Sequence, residues 1–332
     1  MSNSTLGVSV ALCTHNGEAF IVDQVRSILE QSPPPREIVL SDDASSDSTI
    51  QRAVDTVAEH GPSVELVVMR NLEPLGVTRN FEQAVLACRF ELIALSDQDD
   101  VWSPEKLARM TPRFEQDQHL QLLFSDARLV GASGETLGTT LFQALEFADR
   151  ARRAVHKGNA FSVLLRRNVV TGATILVRRD FARAVAPFPA GWIHDEWIAM
   201  VAAIVGRLDV LEEPLVDYRQ HGGNKIGASR LSIAAKFARI VEPGFDRNRR
   251  LLDRTTDLAA RLPSLPGRIP VERTLAVQEK LQHELMRSRL SSRRLARVAP
   301  VFRELSTGRY SRFGRGHLDA ARDLLQPLDS PR

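Results

Sequence analysis

Residues 8–43 read VSVALCTHNGEAFIVDQVRSILEQSPPPREIVLSDD: an apolar run, a helix-length segment and a second apolar run. In the middle segment, Phe20, Val25, Ile28 and Leu29 recur at roughly helical spacing. The same alternation continues to about residue 100. It predicts strands at Val8–Cys13, Glu37–Ser41, Val64–Met69 and Glu91–Leu95, and helices at Glu18–Gln31, Asp47–His60 and Gly76–Ala87. This order predicts an α/β fold with a mostly parallel sheet flanked by helices.

Polar residues directly follow three of the predicted strands. In open α/β sheets, ligands bind beyond the carboxyl ends of the strands. We therefore expect three polar loops to meet at one edge of the sheet: Thr14-His15-Asn16, Ser41-Asp42-Asp43-Ala44-Ser45-Ser46-Asp47 and Ser96-Asp97-Gln98-Asp99-Asp100.

The pattern after Trp102 is mixed and ends in a helical, arginine-rich region. It predicts strands at Leu120–Ser125 and Thr171–Val177, a helix at Asp195–Val205 and an extended segment at Leu208–Tyr218. From about residue 230 the chain is predicted to be helical. We place a domain boundary near residue 225, which gives a catalytic domain over 1–225 and a basic helical region over 226–332.

Composition is that of a globular protein with an uneven charge. The 332 residues are 43% hydrophobic and 26% charged, and the net charge is +3. Residues 231–332 hold 21 Lys and Arg against 11 Asp and Glu, whereas residues 1–230 hold 23 against 30. A basic region of this kind can meet nucleic acid, an anionic membrane surface or the phosphates of a lipid-linked substrate.

The two cysteines, Cys13 and Cys88, form neither a disulfide framework nor a zinc motif, so a reduced, cytoplasmic setting is expected. No cationic stretch precedes an apolar core at the N-terminus, and no run of about 18 apolar residues occurs. We therefore expect no signal peptide and no membrane-spanning helix.

The densest acidic cluster is Asp97-Gln98-Asp99-Asp100. Three carboxylates in four residues repel one another unless a cation lies among them, and Mg²⁺ and Mn²⁺ prefer oxygen ligands. A solvated acidic turn is the alternative, but the position directly after an apolar strand favours a metal site. Asp47 fits a helix cap, whereas Asp42 and Asp43 remain available for a nucleobase or ribose.

Two phosphate-binding motifs are missing from the sequence. No GxGxxG follows the first strand, which argues against a nicotinamide-binding fold, and no GxxxxGK[ST] occurs, which argues against a P-loop. Any donor diphosphate must then be held by a metal and by side chains.

Together these stretches resemble the family 2 inverting glycosyltransferases of the GT-A fold, in particular the rhamnosyltransferase-like branch. The resemblance covers about residues 8–225, with a weaker match at residues 308–313. It is carried by VSVALCTHN (8–16), EIVLSDDASSD (37–47), Gly76 with Thr78-Arg79-Asn80, LSDQDDVW (95–102), WIHDEW (192–197) and YRQHGGN (218–224).

The resemblance implies a role for each matching residue. Asp43 would contact the nucleobase, with Cys13–His15 lining the same pocket, and Arg79 would lie near the donor phosphates. Asp97 and Asp99 would form the DxD pair and bind the metal together with His221. Asp195 would be the general base. The implied partners are a nucleotide-sugar donor, a saccharide or lipid-linked saccharide acceptor and Mg²⁺ or Mn²⁺, with no nucleic acid.

The chain departs from the family pattern at two positions. His194 stands where a Glu often precedes the base, and His15 stands where an aromatic residue often follows the first strand.

In the expected reaction, one carboxylate takes the acceptor proton and a cation stabilises the leaving diphosphate, so a single displacement inverts the sugar carbon. We expect Asp195 to stay ionised because a helix N-terminus favours negative charge. The tryptophans at 102, 192 and 197 fit either sugar stacking or core packing.

The C-terminal region repeats arginine on helical segments, at Arg287, Arg289, Arg293, Arg294 and Arg297. These side chains fit either a solvated face or attachment to an anionic membrane. The second alternative predicts a protein at the cytoplasmic face of a membrane.

Two rival functions remain, a nucleotidyltransferase and a non-catalytic nucleotide- or sugar-binding module. A nucleotidyltransferase would carry a glycine-rich basic loop after the first strand, and this chain has Thr14-His15-Asn16-Gly17-Glu18 there.

Overall fold

The computed structural model describes residues 6–221 and 245–326. The chain divides into two compact units, Met1–Ala160 with Val169–Ala228, and Phe161–Asn168 with Ser229–Arg332. The predicted boundary near residue 225 lies outside the described residues.

The first unit contains a sheet whose strands, within residues 6–221, run in the order β3-β2-β1-β4-β8-β6-β9-β5, with β7 paired to β6. The strands β3, β2, β1 and β4 are parallel, β8 is antiparallel to β4 and β6, and β9 is parallel to β6. Their bounds are β1 Val8–Thr14, β2 Glu37–Asp42, β3 Glu65–Arg70, β4 Leu92–Ser96, β5 Val101–Trp102, β6 Leu120–Val130, β7 Thr136–Thr140, β8 Ile175–Arg178 and β9 Arg207–Arg219.

Helices connect and cover these strands. In the first unit they are α1 Ile21–Leu29, α2 Thr49–His60, α3 Val77–Ala87, α4 Lys106–Gln116, α5 Leu141–Ala144, α6 Asp149–His156, α8 Arg179–Ala184 and α9 His194–Val205. In the second unit they are α7 Ala160–Arg166, which begins one residue before that unit, then α10 Phe245–Arg261, α11 Val271–Ser288, α12 Arg294–Ser306, α13 Arg309–Phe313 and α14 His317–Leu325.

The predicted α/β fold is confirmed, and the sheet proves to be mixed beyond β4. Every residue of β1 is buried, as expected for a parallel strand covered on both faces. Val10 and Leu12 of β1 pack in one core with Ile21, Val25 and Ile28 of α1. The helical spacing in the sequence therefore marks the face of α1 that lies in this core.

One predicted strand is partly wrong. Of Thr171–Val177, the first half forms a turn of 3₁₀ helix at Gly172–Thr174, and β8 begins at Ile175. Thr174 donates from its backbone N–H and from its hydroxyl to the Thr171 carbonyl, at 3.0 and 2.8 Å. These local hydrogen bonds close the turn, which an apolar run in the sequence does not reveal.

Strand register brings the polar loops to one edge. Thr14 pairs with Asp42 across β1 and β2, and Leu12 pairs with Ser96 across β1 and β4. Residues that follow these strand ends are therefore neighbours. The short strand β5 runs antiparallel to β9, with Val101 opposite Asp217, so the residues before β5 lie beside those that end β9.

The second unit combines a small apolar core with buried charges. Val301, Tyr310 and Ala320 form the apolar core. Arg287 and Arg297 are 2% and 1% exposed, so for these two the expectation of either a solvated or a membrane-facing side chain is wrong.

The reason is that buried acids and carbonyls bind both guanidinium groups. Arg287 donates to Asp323 at 2.7 Å and to Glu284 at 3.0 Å. Arg297 donates to backbone carbonyls, including that of Gln326 at 2.6 Å. A buried charge is tolerated when it is paired in this way.

None of the helices over residues 6–221 and 245–326 has both the length and the apolar character that crossing a bilayer requires.

Candidate active site

The loops that follow β1, β2 and β4 are tied together by side chains. The Gln98 amide accepts from the His15 backbone N–H at 2.7 Å and donates to the His15 carbonyl at 3.0 Å. The His15 Nδ1 lies 2.6 Å from the Asp43 carbonyl oxygen. Gly17 faces the same amide, and a Cβ there would come within 2.2 Å of Gln98 Oε1. The three loops therefore form one surface at the carboxyl edge of the sheet.

Asp43, the predicted nucleobase contact, holds the loop that leads into α3. Its carboxylate accepts from the backbone N–H groups of Leu75 and Gly76, at 2.6 and 3.0 Å. Gly76 has a φ of 82° and a ψ of 159°, a region open essentially only to glycine. Asp42 binds Thr14 and Ser45 instead, so it closes the turn. Asp47 accepts from the Thr49 N–H at the start of α2, but Ser48 occupies the N-cap position, so the prediction of Asp47 as the cap is wrong by one residue.

Arg79, predicted near the donor phosphates, lies in the first turn of α3 and is half exposed. Its guanidinium pairs with Glu82 at 2.8 Å. The adjacent Asn80 is buried and donates to the Ser41 carbonyl at the end of β2, at 2.8 Å. Asn80 therefore fixes α3 against the sheet and holds Arg79 close to the loop of Asp43.

The acidic loop after β4 meets the end of β9. The His221 Nε2 and the Asp99 Oδ2 are 2.8 Å apart. Arg219 makes this approach possible, because its backbone N–H donates to Asp100 and its side chain donates to the Asp99 carbonyl, at 3.0 and 2.8 Å. The His221 ring stacks on Phe20, with centroids 4.7 Å apart.

The charges of four carboxylates act on the buried phenol of Tyr218. Burial, followed by the charges of Asp97, Asp100, Asp99 and Asp195, raises the pKa of Tyr218. Burial and the charges of Asp99 and Asp195 also raise the pKa of Asp97 to about 7. The predicted general base and the predicted DxD pair thus lie within electrostatic reach of each other.

The candidate metal-ligating atoms of Asp97, Asp99 and His221 fit a divalent cation only in part. Asp99 and His221 offer oxygen and nitrogen ligands in direct contact, with Asp97 nearby. Within residues 6–221 and 245–326, no three His, Cys, Asp or Glu side chains are arranged to hold a metal ion. Mg²⁺ is commonly held by one or two carboxylates and the substrate phosphates, so the assignment of Asp97, Asp99 and His221 stays a prediction.

Asp195 lies in the first turn of α9 and is held by two backbone N–H groups. Gly172 donates to its Oδ2 at 2.9 Å, and Glu196 donates to its Oδ1 at 2.6 Å. Burial and the neighbouring Glu196 charge nevertheless raise the pKa of Asp195 to about 7. Loss of solvent therefore outweighs the helix terminus and the hydrogen bonds, on which the expectation of an ionised Asp195 depends.

Lys106 is a residue beside the candidate site that the sequence did not reveal. It is fully buried, its ammonium lies 3.7 Å from the Trp102 ring centroid, and it donates to the Ala173 carbonyl at 2.8 Å. Burial lowers its pKa to about 7 against the opposing charges of Asp100 and Asp97. Lys106 therefore lies within electrostatic reach of the acidic loop and binds the turn that presents Gly172 to Asp195. The only sequence signal was a lysine shortly after the acidic cluster.

The other sequence-predicted residues lie in the core. Cys13 is buried, and burial followed by the Asp97 charge raises its pKa. The three tryptophans are at most 6% exposed, which supports the packing alternative over sugar stacking. His194 is 4% exposed and stacks on Phe81 at 3.8 Å, which places this departure from the family pattern inside the core.

Comparisons with known proteins agree with this fold. The sequence profile of "Glycosyl transferase family 2" matches residues 9–180. An uncharacterized glycosyltransferase of Nostoc is 26% identical over 65% of this chain and 66% of its own length. An uncharacterized protein of Mycobacterium tuberculosis is 25% identical over 64% of this chain and 59% of its own. The chain thus spans about three fifths to two thirds of these relatives.

A dTDP-rhamnosyl transferase, RfbG of Shigella flexneri, is 24% identical over 75% of this chain and 83% of its own length. Among solved structures, S. aureus TarS with UDP-GlcNAc covers 96% of this chain and 90% of its own at 16% identity, with a TM-score of 0.57. The mannosyltransferase PcManGT of Pyrobaculum calidifontis covers 98% and 87% at 18% identity, with a TM-score of 0.55. These structures show the GT-A fold, and the matched profile shows that this chain belongs to glycosyl transferase family 2.

Proposed function

We propose that this protein is an inverting glycosyltransferase that moves a sugar from a nucleotide-diphosphate donor to an acceptor hydroxyl. One observation carries the proposal: His221 lies 2.8 Å from Asp99 beyond the end of β4, and the charges of Asp99 and Asp195 both act on the neighbouring Asp97. Family membership supports the reaction type. The position beyond the carboxyl ends of the strands is where α/β sheets bind nucleotides.

Asp195 is the group that accepts the proton of the acceptor hydroxyl. The Gly172 and Glu196 N–H groups hold both of its oxygens, so the carboxylate keeps one orientation. With a pKa of about 7, it is partly unprotonated at neutral pH and takes a proton readily. A single base and a single displacement give inversion at the sugar carbon.

The donor site is assigned to the surface of Cys13, His15, Asp43 and Arg79. Asp97, Asp99 and His221 would hold Mg²⁺ or Mn²⁺, whose chemistry when bound is to stabilise negative charge on the leaving diphosphate. Asp43 fixes the loop at Leu75 and Gly76, which would border the nucleobase. Lys106 lies within electrostatic reach of the acidic loop.

The donor, the acceptor and the setting are finer proposals. The names of relatives support dTDP-rhamnose or a UDP-sugar as donor, since RfbG is a dTDP-rhamnosyl transferase and TarS was solved with UDP-GlcNAc. PcManGT was solved with Mn²⁺. A Bacillus subtilis relative named "Putative teichuronic acid biosynthesis glycosyltransferase TuaG" supports cell-surface polysaccharide synthesis; it is 28% identical over 41% of this chain and 53% of its own length.

We assign catalysis to residues 1–225 and acceptor or membrane association to residues 226–332. The setting proposed is cytoplasmic, with peripheral contact at the cytoplasmic face of a membrane through the basic helices.

The test is donor turnover in the presence of Mn²⁺ or Mg²⁺. Asp99→Ala should abolish sugar transfer, because the pair with His221 is lost, while the protein stays folded. The matched control is Asp180→Ala, whose carboxylate is 83% exposed in a surface ion pair. Full turnover by Asp99→Ala would remove the metal assignment.

The product of the same assay separates the two alternatives. A nucleotidyltransferase would release pyrophosphate, and a non-catalytic binding module would release nothing from any donor. Release of a nucleoside diphosphate together with a sugar of inverted configuration supports the glycosyltransferase. Screening a set of nucleotide sugars by diphosphate release then identifies the donor.

A further inference from the structure

The helix α12 exposes a strip of large apolar side chains. Leu295, Val298 and Phe302 are 90%, 42% and 59% exposed. Their spacing of three and four residues places them on one face of the helix. Leaving such side chains in water forgoes roughly 25 cal/mol for each Å² of apolar surface, so an exposed continuous strip calls for a partner.

The opposite face of α12 is fixed inside the second unit. Arg297, Val301 and Glu304 are each at most 6% exposed. Glu304 Oε1 lies 2.8 Å from His283 Nδ1. Arg297 donates to the carbonyls of Ser291, Ser292, Asp323 and Gln326. Rotating the helix to bury the apolar strip would break these bonds, so the strip is held outward.

Arginines border the strip on both sides. At about 100° per residue, Arg294 and Arg303 lie roughly 70° and 110° from the centre of the strip, in opposite directions. Both are exposed, as are Arg289 and Arg293 just before the helix. Residues 285–303 contain six arginines and no Asp or Glu. The whole exposed face is therefore apolar in the middle and cationic at its edges.

We propose that this face of α12, defined by Leu295, Val298 and Phe302 with Arg294 and Arg303 at its edges, docks on an anionic lipid bilayer surface. Interfacial helices place apolar side chains at the boundary of headgroups and acyl chains. Arginine stems reach outward from such a position, so their guanidinium groups meet lipid phosphates. The inference deepens the membrane contact included in the proposed function and does not depend on which sugar is transferred.

Charge and area favour a membrane over a second copy of the chain. In a two-fold contact, the arginine edges of both copies would lie in one interface, and residues 285–303 supply no Asp or Glu to separate them. Three apolar side chains also cover far less than the about 800 Å² per partner of a standard protein interface. A bilayer that contains acidic lipid offers both the apolar layer and the negative charge.

The experiment is flotation of the full chain with vesicles of phosphatidylcholine alone and with phosphatidylglycerol added. We expect binding to the acidic vesicles that weakens with salt. Arg294→Gln with Arg303→Gln should lower the partition coefficient by about tenfold or more. Leu295→Ser with Phe302→Ser should also release the protein, since the apolar anchor is lost.

The matched control is Val271→Ser with Leu275→Ser, which removes two exposed apolar side chains, 70% and 53% exposed, from α11. This variant should float like the unaltered protein. Equal flotation on neutral and acidic vesicles, no flotation at all, or equal loss in the control would each overturn the proposal. So would a concentration-dependent dimer that disappears in Leu295→Ser with Phe302→Ser, because the face would then join two copies. Donor turnover in solution should be the same in all these variants, which separates this result from a failure of the proposed function.

Discussion

Asp195 is a carboxylate on which burial and a helix N-terminus act in opposite directions. Two backbone N–H groups lower its pKa, whereas burial and the Glu196 charge raise it, and the balance lies at about 7. A base is most effective when its pKa is near the working pH. The buried position, more than the helix, therefore sets the property that catalysis needs.

We expect the rate of transfer to fall as the pH falls below about 7, because protonated Asp195 cannot accept the acceptor proton. Asp195→Asn should remove this dependence and lower kcat by about 10²–10⁴-fold, with donor binding retained. Kinetics against pH and donor titration by calorimetry measure both effects. Glu196→Gln should move the rising limb to lower pH, since one charge that raises the Asp195 pKa is gone. A profile that is flat across neutral pH would contradict this role.

Lys106 is a second residue whose property comes from burial. Burial lowers its pKa to about 7, the charges of Asp100 and Asp97 oppose this shift, and its ammonium binds the Ala173 carbonyl. We expect Lys106→Met to lower the free energy of unfolding by about 3 kcal/mol, because buried carboxylates lose their counter-charge. Denaturant unfolding measures it, with the exposed Lys157→Met as control. If both variants unfold at the same denaturant concentration, Lys106 does not stabilise the acidic loop.

At the scale of elements, a short strand and a short loop bring the residues of the candidate site together. We call these two segments the short connections. The two-residue strand β5 pairs with β9 and so brings the acidic loop beside Arg219 and His221. The loop before α3 is held at Leu75 and Gly76 by Asp43, which joins β2 to the start of that helix. Both connections depend on residues that are distant in sequence.

Gly76→Ala tests the second connection. A Cβ at Gly76 meets nothing within 4 Å, so the cost comes from the backbone, whose φ is 82°. We expect a loss of stability of about 1–3 kcal/mol and a higher KM for the donor, since the loop held by Asp43 must shift. Gly138→Ala, at another glycine of positive φ with open space around it, should lose stability without a change in KM. An unchanged donor KM in Gly76→Ala would separate this loop from the donor site.

At the scale of the whole molecule, the two units are stabilised differently. The first unit has an extensive apolar core around its sheet. The second has a small core, and its helices also share a buried network in which Asp323 binds Arg287 and the Tyr310 hydroxyl. Breaking one member of such a network leaves the others charged and unpaired, which costs more than the pair contributes.

We expect Arg287→Met to destabilise the second unit by about 3–5 kcal/mol. Hydrogen exchange should then show faster exchange in α10–α14, with protection in β1–β4 unchanged. Arg289→Met, at an exposed arginine of the same segment, is the control and should leave both regions as they are. Equal protection in Arg287→Met and Arg289→Met would mean that the network is not needed for stability.

The sequence predicted the first half of the fold well because local patterns specify it. Apolar runs gave β1–β4 within one or two residues, and helical spacing gave α1–α3 with bounds that differ by up to three residues. β5 and the turn at Gly172–Thr174 escaped prediction because their hydrogen bonds join distant or very short segments. Arg287 and Arg297 were expected outside because a basic sequence does not show which acids and carbonyls will surround it.

The sequence by itself determined the parallel half of the sheet and the polar loops at its carboxyl edge, because periodicity and strand ends are local properties. Its motifs also carried the resemblance to the family, since each motif is a continuous stretch of the chain. Only the tertiary structure decided that His221 contacts Asp99, that Lys106 lies within electrostatic reach of the acidic loop and that burial moves the Asp195 pKa to about 7. These features depend on distance and on exclusion of water, which arise only when separate segments pack together.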